Sequence, residues 1–369
     1  MEKETAIAPQ DDQRYMDLAL RLAAKGLGAT YPNPAVGCVI VARGEIVGSG
    51  YHHRAGEAHA EVNAVRSVED RTVLPFSTMY VTLEPCAHYG KTPPCAEMIV
   101  RERIPRVVVG TLDPFAQVNG RGIEILRRAG VEVVVGVRQE ACRTLNRRFF
   151  TYHRKKRPYL TLKWAQTADG FLDALRQGPQ VPALKITGPQ AQTYVHRMRS
   201  TEQAILVGTR TAILDNPRLD ARFCDRVRRD PLRIAIDRRG RIPADYHLLD
   251  GTQPTIVFTD REHTVGERLP GRENLLYVPM DFSPHFLDDM LDELYRRGIQ
   301  SVLVEGGAEL LGSFIRSGLW DQAFVFTAPR MRIGRGVAAP SLGPQAREVR
   351  REVLGEDELT VYENVSNHL

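Results

Sequence analysis

Between residues 11 and 28 apolar side chains recur at Tyr15, Leu18, Ala19 and Leu22, the i, i+3, i+4, i+7 spacing of one helical stripe. Asp11 and Asp12 precede it as cap candidates. The period then shortens, and residues 36–41 and 45–51 read as two strands of a hairpin around Ala42-Arg43-Gly44. Beyond it the pattern alternates: helix over 59–68, strand over 79–83, helix over 95–102, strand over 107–110, helix over 121–129 and strand over 131–135. Such alternation predicts helices packed on a largely parallel sheet.

The basic stretch 152–158 lacks apolar periodicity and ends in Pro158, so it reads as a linker. A second α/β pattern follows, with strands over 159–164, 204–207, 233–236, 255–258, 275–278, 301–304 and 323–327 and helices over 189–198, 284–297 and 308–317. No repeat relates the halves. The expected organisation is two different α/β domains, at residues 11–151 and 158–369.

A chain of 369 residues has the length for two such cores. With 43% hydrophobic and 26% charged residues it has a globular composition, neither disordered nor low-complexity. No apolar run reaches the ~18 residues of a membrane span, and the start lacks a signal-peptide pattern. A cytoplasmic protein with no membrane partner is expected. The net charge of +5 suits a phosphorylated ligand as well as nucleic acid. The five cysteines, at 38, 86, 95, 142 and 224, are odd in number and scattered, which favours a metal site over a disulfide framework.

His59-Ala60-Glu61 opens a predicted helix, and Pro85-Cys86 and Cys95 bracket a segment that follows a predicted strand. One imidazole and two thiolates are three soft ligands for zinc, leaving a fourth position for water. In mid-helix His59 and Glu61 would be splayed by about 200°. At a helix entrance the histidine can reach the metal while the glutamate serves as proton carrier. Zinc deaminases acting on nucleobases carry H-x-E with P-C-x-x-C; here Cys86 and Cys95 lie nine residues apart. Cys38, Cys142 and Cys224 read as packing residues. The residues alone also allow a zinc deaminase acting on RNA, or a zinc-stapled binding module in which Glu61 is dispensable.

The segments H-A-E and P-C-A-H-Y-G-K-T-P-P-C, with Pro32-Asn33-Pro34-Ala35-Val36-Gly37 and Gly50-Tyr51-His52, closely resemble the bifunctional riboflavin-biosynthesis deaminase/reductase family, in which the long cysteine spacing is characteristic. In the second half the ordered set K-W-A-x-x-x-D-G, V-G-T-x-T, D-N-P-x-L and E-G-G resembles the reductase part of that family. No G-x-G-x-x-G follows the first strand there, so a Rossmann dinucleotide site is not indicated.

The resemblance implies a cytidine-deaminase-like three-layer α/β/α domain followed by a dihydrofolate-reductase-like α/β domain. It implies one zinc per chain on His59, Cys86 and Cys95, with Glu61 catalytic. Asn33, His52, His88 and Lys91 would bind the deaminase substrate. Ala183, Arg199, Leu219, Arg222 and Glu305 would contact the reductase substrate, the arginines clamping its phosphate. Ala165, Lys185, Thr211, Asp215 and the loop 306–313, with Gly306 and Gly307, would contact NADPH. The partners implied are small phosphorylated pyrimidines rather than nucleic acid, and the chain is expected to form a homo-oligomer. Many family members place a serine and a tryptophan where this chain has Ala183 and Lys185. The lysine offers a charge to the cofactor's 2′-phosphate in place of an aromatic wall.

Overall fold

The computed structural model describes residues 9–89, 93–115, 120–223, 230–263, 268–269 and 272–367. The chain divides into two compact units, Met1–Lys155 and Lys156–Leu369. Among the described residues no helix is long and apolar enough to cross a membrane.

Unit 1 runs α1 (Pro9–Ala24), β1 (Gly37–Ala42), β2 (Glu45–Tyr51), α2 (Ala60–Arg66), β3 (Ser77–Val81), α3 (Cys95–Arg101), β4 (Arg106–Val109), α4 (Arg121–Arg128), β5 (Glu132–Val135), α5 (Gln139–Leu145) and α6 (Arg147–Lys155). The sheet order is β2-β1-β3-β4-β5. Because successive strand residues face opposite sides, Cys38 and Ile40 join α2, α3 and α4 in one core, through Ala60, Ala64, Ile99 and Leu126. Val39 and Val41 join α1 and α5 in the other, through Tyr15, Met16, Ala19 and Cys142. These are the three α/β/α layers expected.

The sheet is less parallel than the alternation suggested. β3, β4 and β5 run parallel, but β1 is antiparallel to both β2 and β3. The tight Arg43-Gly44 turn, with both residues at positive φ, returns β2 beside β1.

Unit 2 runs β6 (Tyr159–Thr167), β7 (Phe171–Asp173), α7 (Pro189–Thr201), β8 (Ala204–Gly208), α8 (Thr209–Asp215), β9 (Leu232–Ile236), β10 (Thr255–Thr259), β11 (Arg268–Leu269), β12 (Arg272–Pro279), α9 (Phe286–Arg296), β13 (Ser301–Val304), α10 (Ala308–Arg316), β14 (Gln322–Ala328), β15 (Val337–Ala338), β16 (Ala346–Leu354) and β17 (Asp357–Asn364). The main sheet has the order β11-β12-β10-β9-β8-β13-β6-β14-β17-β16. α9 and α10 cover one face around Leu162, Leu206 and Val304. α7 and α8 cover the other around Ile205, Val207 and Leu303.

The basic stretch 152–158 is not a free linker: α6 continues through Lys155 and the units divide after it. Phe149 and Phe150 pack with Leu83 and anchor the helix, whose basic residues follow that anchor. Arg157 turns into unit 2 and grips Asp321 through two hydrogen bonds of 2.7 and 2.8 Å.

Candidate functional site

In unit 1, His59, Cys86 and Cys95 converge, with their ligand atoms all within 4.8 Å of one another. His59 Nδ1 lies 3.5 Å from Cys86 Sγ and 3.4 Å from Cys95 Sγ. His59 is the extended N-cap of α2, and Glu61 is the second helical residue. The helix entrance, one residue later than the sequence pattern suggested, removes the 200° conflict. Cys95 opens α3, and its backbone N–H donates to Cys86 Sγ at 3.3 Å. The Cys95 thiol, then His59 and that backbone bond, outweigh burial and draw the Cys86 thiol down to about 4, giving it the thiolate character a zinc ligand needs. The donor set and its closeness fit zinc.

Glu61 is only 3% exposed. Burial, reinforced by the Cys86 thiolate, raises its carboxyl to about 7, near the operating range of a general acid/base. His52 is buried beside His59, with ring centroids 5.5 Å apart. Its Nδ1–H donates to the Ala58 carbonyl at 3.1 Å, so Nε2 accepts from Asn33 Nδ2–H at 3.2 Å. Desolvation lowers its pKa and keeps this neutral tautomer. Asn33, His59, Cys86 and His88 line one cleft of about 440 Å³, to which Arg66 and Arg101 also contribute. Lys91, like Cys224, lies outside the described residues.

Sequence reasoning missed the supports of this site. The Glu84 carboxylate, two residues before Cys86, accepts from Asp113 N–H (3.2 Å), Gly120 N–H (2.9 Å) and Gly122 N–H (3.0 Å), tying the ligand loop to the start of α4. A Cβ on Gly122 would fall 2.0 Å from the Pro85 carbonyl oxygen, so that approach requires glycine. Asn146 brackets Ala35, accepting from its N–H and donating to its carbonyl at 2.9 Å each. This fixes the segment carrying Asn33 from a distance of 111 residues along the chain, which no local motif reveals.

In unit 2 a cleft of about 370 Å³ gathers Ala165, Ala183, Lys185, Thr211, Asp215, Glu305 and Gly307. Gly306 sits behind it, where a Cβ would meet Gly208 N and Val207 Cα at 2.8 Å each. Its bare backbone therefore serves the packing of β13 against β8. Gly307, at φ +58°, caps α10 beside Thr211.

Arg199, Leu219 and Arg222 do not line the cleft but cluster next to Glu305. Arg199 donates to both Glu305 oxygens at 2.8 and 2.7 Å, and its Nη1 donates to the Asp220 carbonyl. Arg222 Nη1 bonds the Asp220 carboxylate at 3.2 Å, while its backbone N–H donates to His196 Nδ1 at 2.9 Å. Leu219 is buried at φ +50°, and Asn216 and Phe223 share the left-handed region. Such strain persists where surrounding structure enforces it. Lys163, the lysine of K-W-A-x-x-x-D-G to which the sequence assigned no role, approaches Glu305 at 3.7 Å.

Burial alone would raise the Glu305 carboxyl, but Arg199 and then Lys163 outweigh it and hold it at about 2. Its ordinary value is 4.5. The stabilisation is therefore fully present above about pH 4.5 and is lost as pH falls through about 2. Glu305→Gln leaves two buried cations without their counter-charge, an expected destabilisation of roughly 3–5 kcal/mol. Urea unfolding of parent and variant should show that gap at pH 7 and a smaller one at pH 3. A gap that does not change with pH contradicts the assignment.

Fold and geometry together define a zinc-dependent deaminase unit joined to an α/β reductase unit. Residues 9–111 match the cytidine and deoxycytidylate deaminase zinc-binding region, and residues 158–357 match the RibD C-terminal domain. The riboflavin biosynthesis protein RibD of Aquifex aeolicus is 42% identical over 354 residues, covering 94% of this chain and 96% of that protein. The RibD protein of Escherichia coli is 36% identical, with 87% and 88% covered. A crystal structure from Thermotoga maritima, described as a diaminohydroxyphosphoribosylaminopyrimidine deaminase/5-amino-6-(5-phosphoribosylamino)uracil reductase, superposes with a TM-score of 0.86 at 34% identity, covering 96% of this chain and 99% of that one. The RibD structure of Acinetobacter baumannii gives a TM-score of 0.84 at 32% identity, with the same coverage. The chain belongs to the RibD family of bifunctional riboflavin-biosynthesis enzymes.

Proposed function

We propose that the chain performs two successive steps on one phosphorylated pyrimidine. The first is hydrolytic deamination of 2,5-diamino-6-(5-phosphoribosylamino)pyrimidin-4(3H)-one, and the second is NADPH-dependent reduction of the ribosyl group to ribityl phosphate. We assign them to residues 11–151 and 158–369. The carrying observation is the buried Glu61 carboxyl beside a His59/Cys86/Cys95 triad, three protein ligands for a metal that takes four.

Zinc held by those three residues supplies Lewis-acid activation of water. Glu61 takes the proton from the attacking water and delivers it to the departing amine, so the ring gains an oxygen and ammonia leaves. Asn33 and the Asn33-bound imidazole of His52 orient the pyrimidine, with His88 on the cleft wall and Lys91 for the phosphate. Glu61 and Cys95 sit at the entrances of α2 and α3, which one shared core holds in place.

NADPH supplies the hydride for the second step. Ala165, Lys185, Thr211, Asp215, Gly306 and Gly307 contact the cofactor, and Ala183, Leu219, Arg199, Arg222 and Glu305 position the substrate. Arg199 spends its fork on Glu305, with a side chain 14% exposed, whereas that of Arg222 is 46% exposed. Arg222 is accordingly the phosphate-facing arginine. Arg222→Ala should lower reductase efficiency by roughly 10- to 150-fold, the value of a charge-assisted hydrogen bond, and leave deamination near normal. Steady-state assays of both half-reactions check this; an equal loss in both would refute the assignment.

A cytoplasmic location, where NADPH and phosphorylated intermediates are retained, belongs to the same reading. So does a homo-oligomer.

A further inference from the structure

We infer that Arg210, acting with Lys185, is the specificity-determining residue that reads the 2′-phosphate distinguishing NADPH from NADH. The inference rests on the reductase reading of the unit 2 cleft and names which of its charges remain for the cofactor. Four cationic side chains, Lys163, Arg176, Lys185 and Arg210, and three carboxylates, Asp173, Asp215 and Glu305, line that cleft.

The acids are already engaged. Glu305 is held by Arg199 at 2.7 Å and approached by Lys163 at 3.7 Å. Arg176 lies 2.6 Å from Asp173 and 2.5 Å from Asp215, with a side chain only 5% exposed. Lys185 and Arg210 are exposed and form no ion pair among the described residues. Two cations from separate segments thus face one cleft with no protein counter-charge left for them, an arrangement that favours a multiply charged anion.

Their position selects which anion. The second residue of α8 is Arg210, directly before Thr211, whose Oγ1 lies 3.1 Å from where a Cβ on Gly307 would stand. The bare Gly306-Gly307 turn at the start of α10 offers backbone N–H groups to a pyrophosphate, which NADH and NADPH share. The exposed cations lie outside that turn's backbone, on the cleft wall, and suit the additional phosphate that only NADPH carries. A guanidinium meets it with a two-pronged hydrogen bond, whereas a 2′-hydroxyl offers no charge to either side chain.

The test is direct binding by titration calorimetry on the full chain, with NADP+, NAD+, adenosine 2′,5′-bisphosphate and AMP as probes. Arg210→Ala and Lys185→Ala should each weaken NADP+ and the bisphosphate by about 10- to 100-fold. NAD+ and AMP should stay within about twofold, which also reports that the cleft remains folded. Arg210→Lys should restore part of the loss. Equal weakening of NADP+ and NAD+ would move Arg210 to the shared pyrophosphate and overturn the inference, as would no change for either. A parent chain that binds neither dinucleotide would instead sink the reductase reading, and this inference with it.

Discussion

Glu61→Gln is expected to keep one zinc per chain while slowing deamination by roughly 10²–10⁴-fold, the usual contribution of a positioned general acid/base. The amide nearly matches the carboxylate in shape, and the ligand atoms of His59, Cys86 and Cys95 belong to other side chains. What it cannot do is carry a proton from water to the leaving amine. Because Glu61 is 3% exposed, bulk buffer has poor access to the same place and should not substitute for it. Metal analysis with an ammonia-release assay separates the two properties. A variant that deaminates at the parental rate would remove Glu61 from the mechanism, and one that loses its zinc would make the residue structural.

Cys86→Ala should go further, abolishing zinc retention and taking deamination to the uncatalysed background. Cys86 carries the thiolate character of the triad, drawn down to about 4 by Cys95 and His59. Its removal leaves one imidazole and one buried thiol, too few protein ligands for a stable zinc site. Reduction of the already deaminated ribosyl compound should persist, because every residue assigned to that step lies in the other unit. Zinc still present at one per chain, or a deaminase that tolerates the change, would show that the ligand set has been misassigned.

What the sequence disclosed and what it hid follow from the range of the interactions. The zinc triad was legible because soft ligands and Glu61 sit on short motifs next to elements with clear periodicity. The continuous apolar run of residues 36–41 likewise marked β1, which is buried on both faces and feeds the two cores of unit 1. The end of α6, residues 152–155, reads as linker because that stretch is basic and the buried Phe149 and Phe150 that anchor the helix lie before it. β16 was missed because Arg347, Glu348, Arg350, Arg351 and Glu352 mask its pattern, a charge density tolerable on an exposed edge strand. β17 and the short helix α8 also show no periodicity that marks them in the sequence.

The substrate-facing residues show the same limit. The family resemblance named Arg199 and Glu305 but gave no hint that they bind each other, since 106 residues separate them. Glu84 and Asn146 likewise act through partners far along the chain and carry no motif of their own, and the K-W-A-x-x-x-D-G motif holds Lys163 without showing that it approaches Glu305. Local pattern marks which groups can do chemistry, while the fold decides which of them remain free to do it.

The most direct test follows ammonia release and NADPH oxidation together in one reaction of the purified chain with the diaminopyrimidine substrate. The two-step reading predicts ammonia first and then one NADPH oxidised for each ammonia released. With Glu61→Gln both signals should fall together, and NADPH oxidation should return when the deaminated compound is supplied. NADPH oxidised without ammonia release, or a Glu61→Gln chain that cannot reduce the deaminated compound, would contradict it.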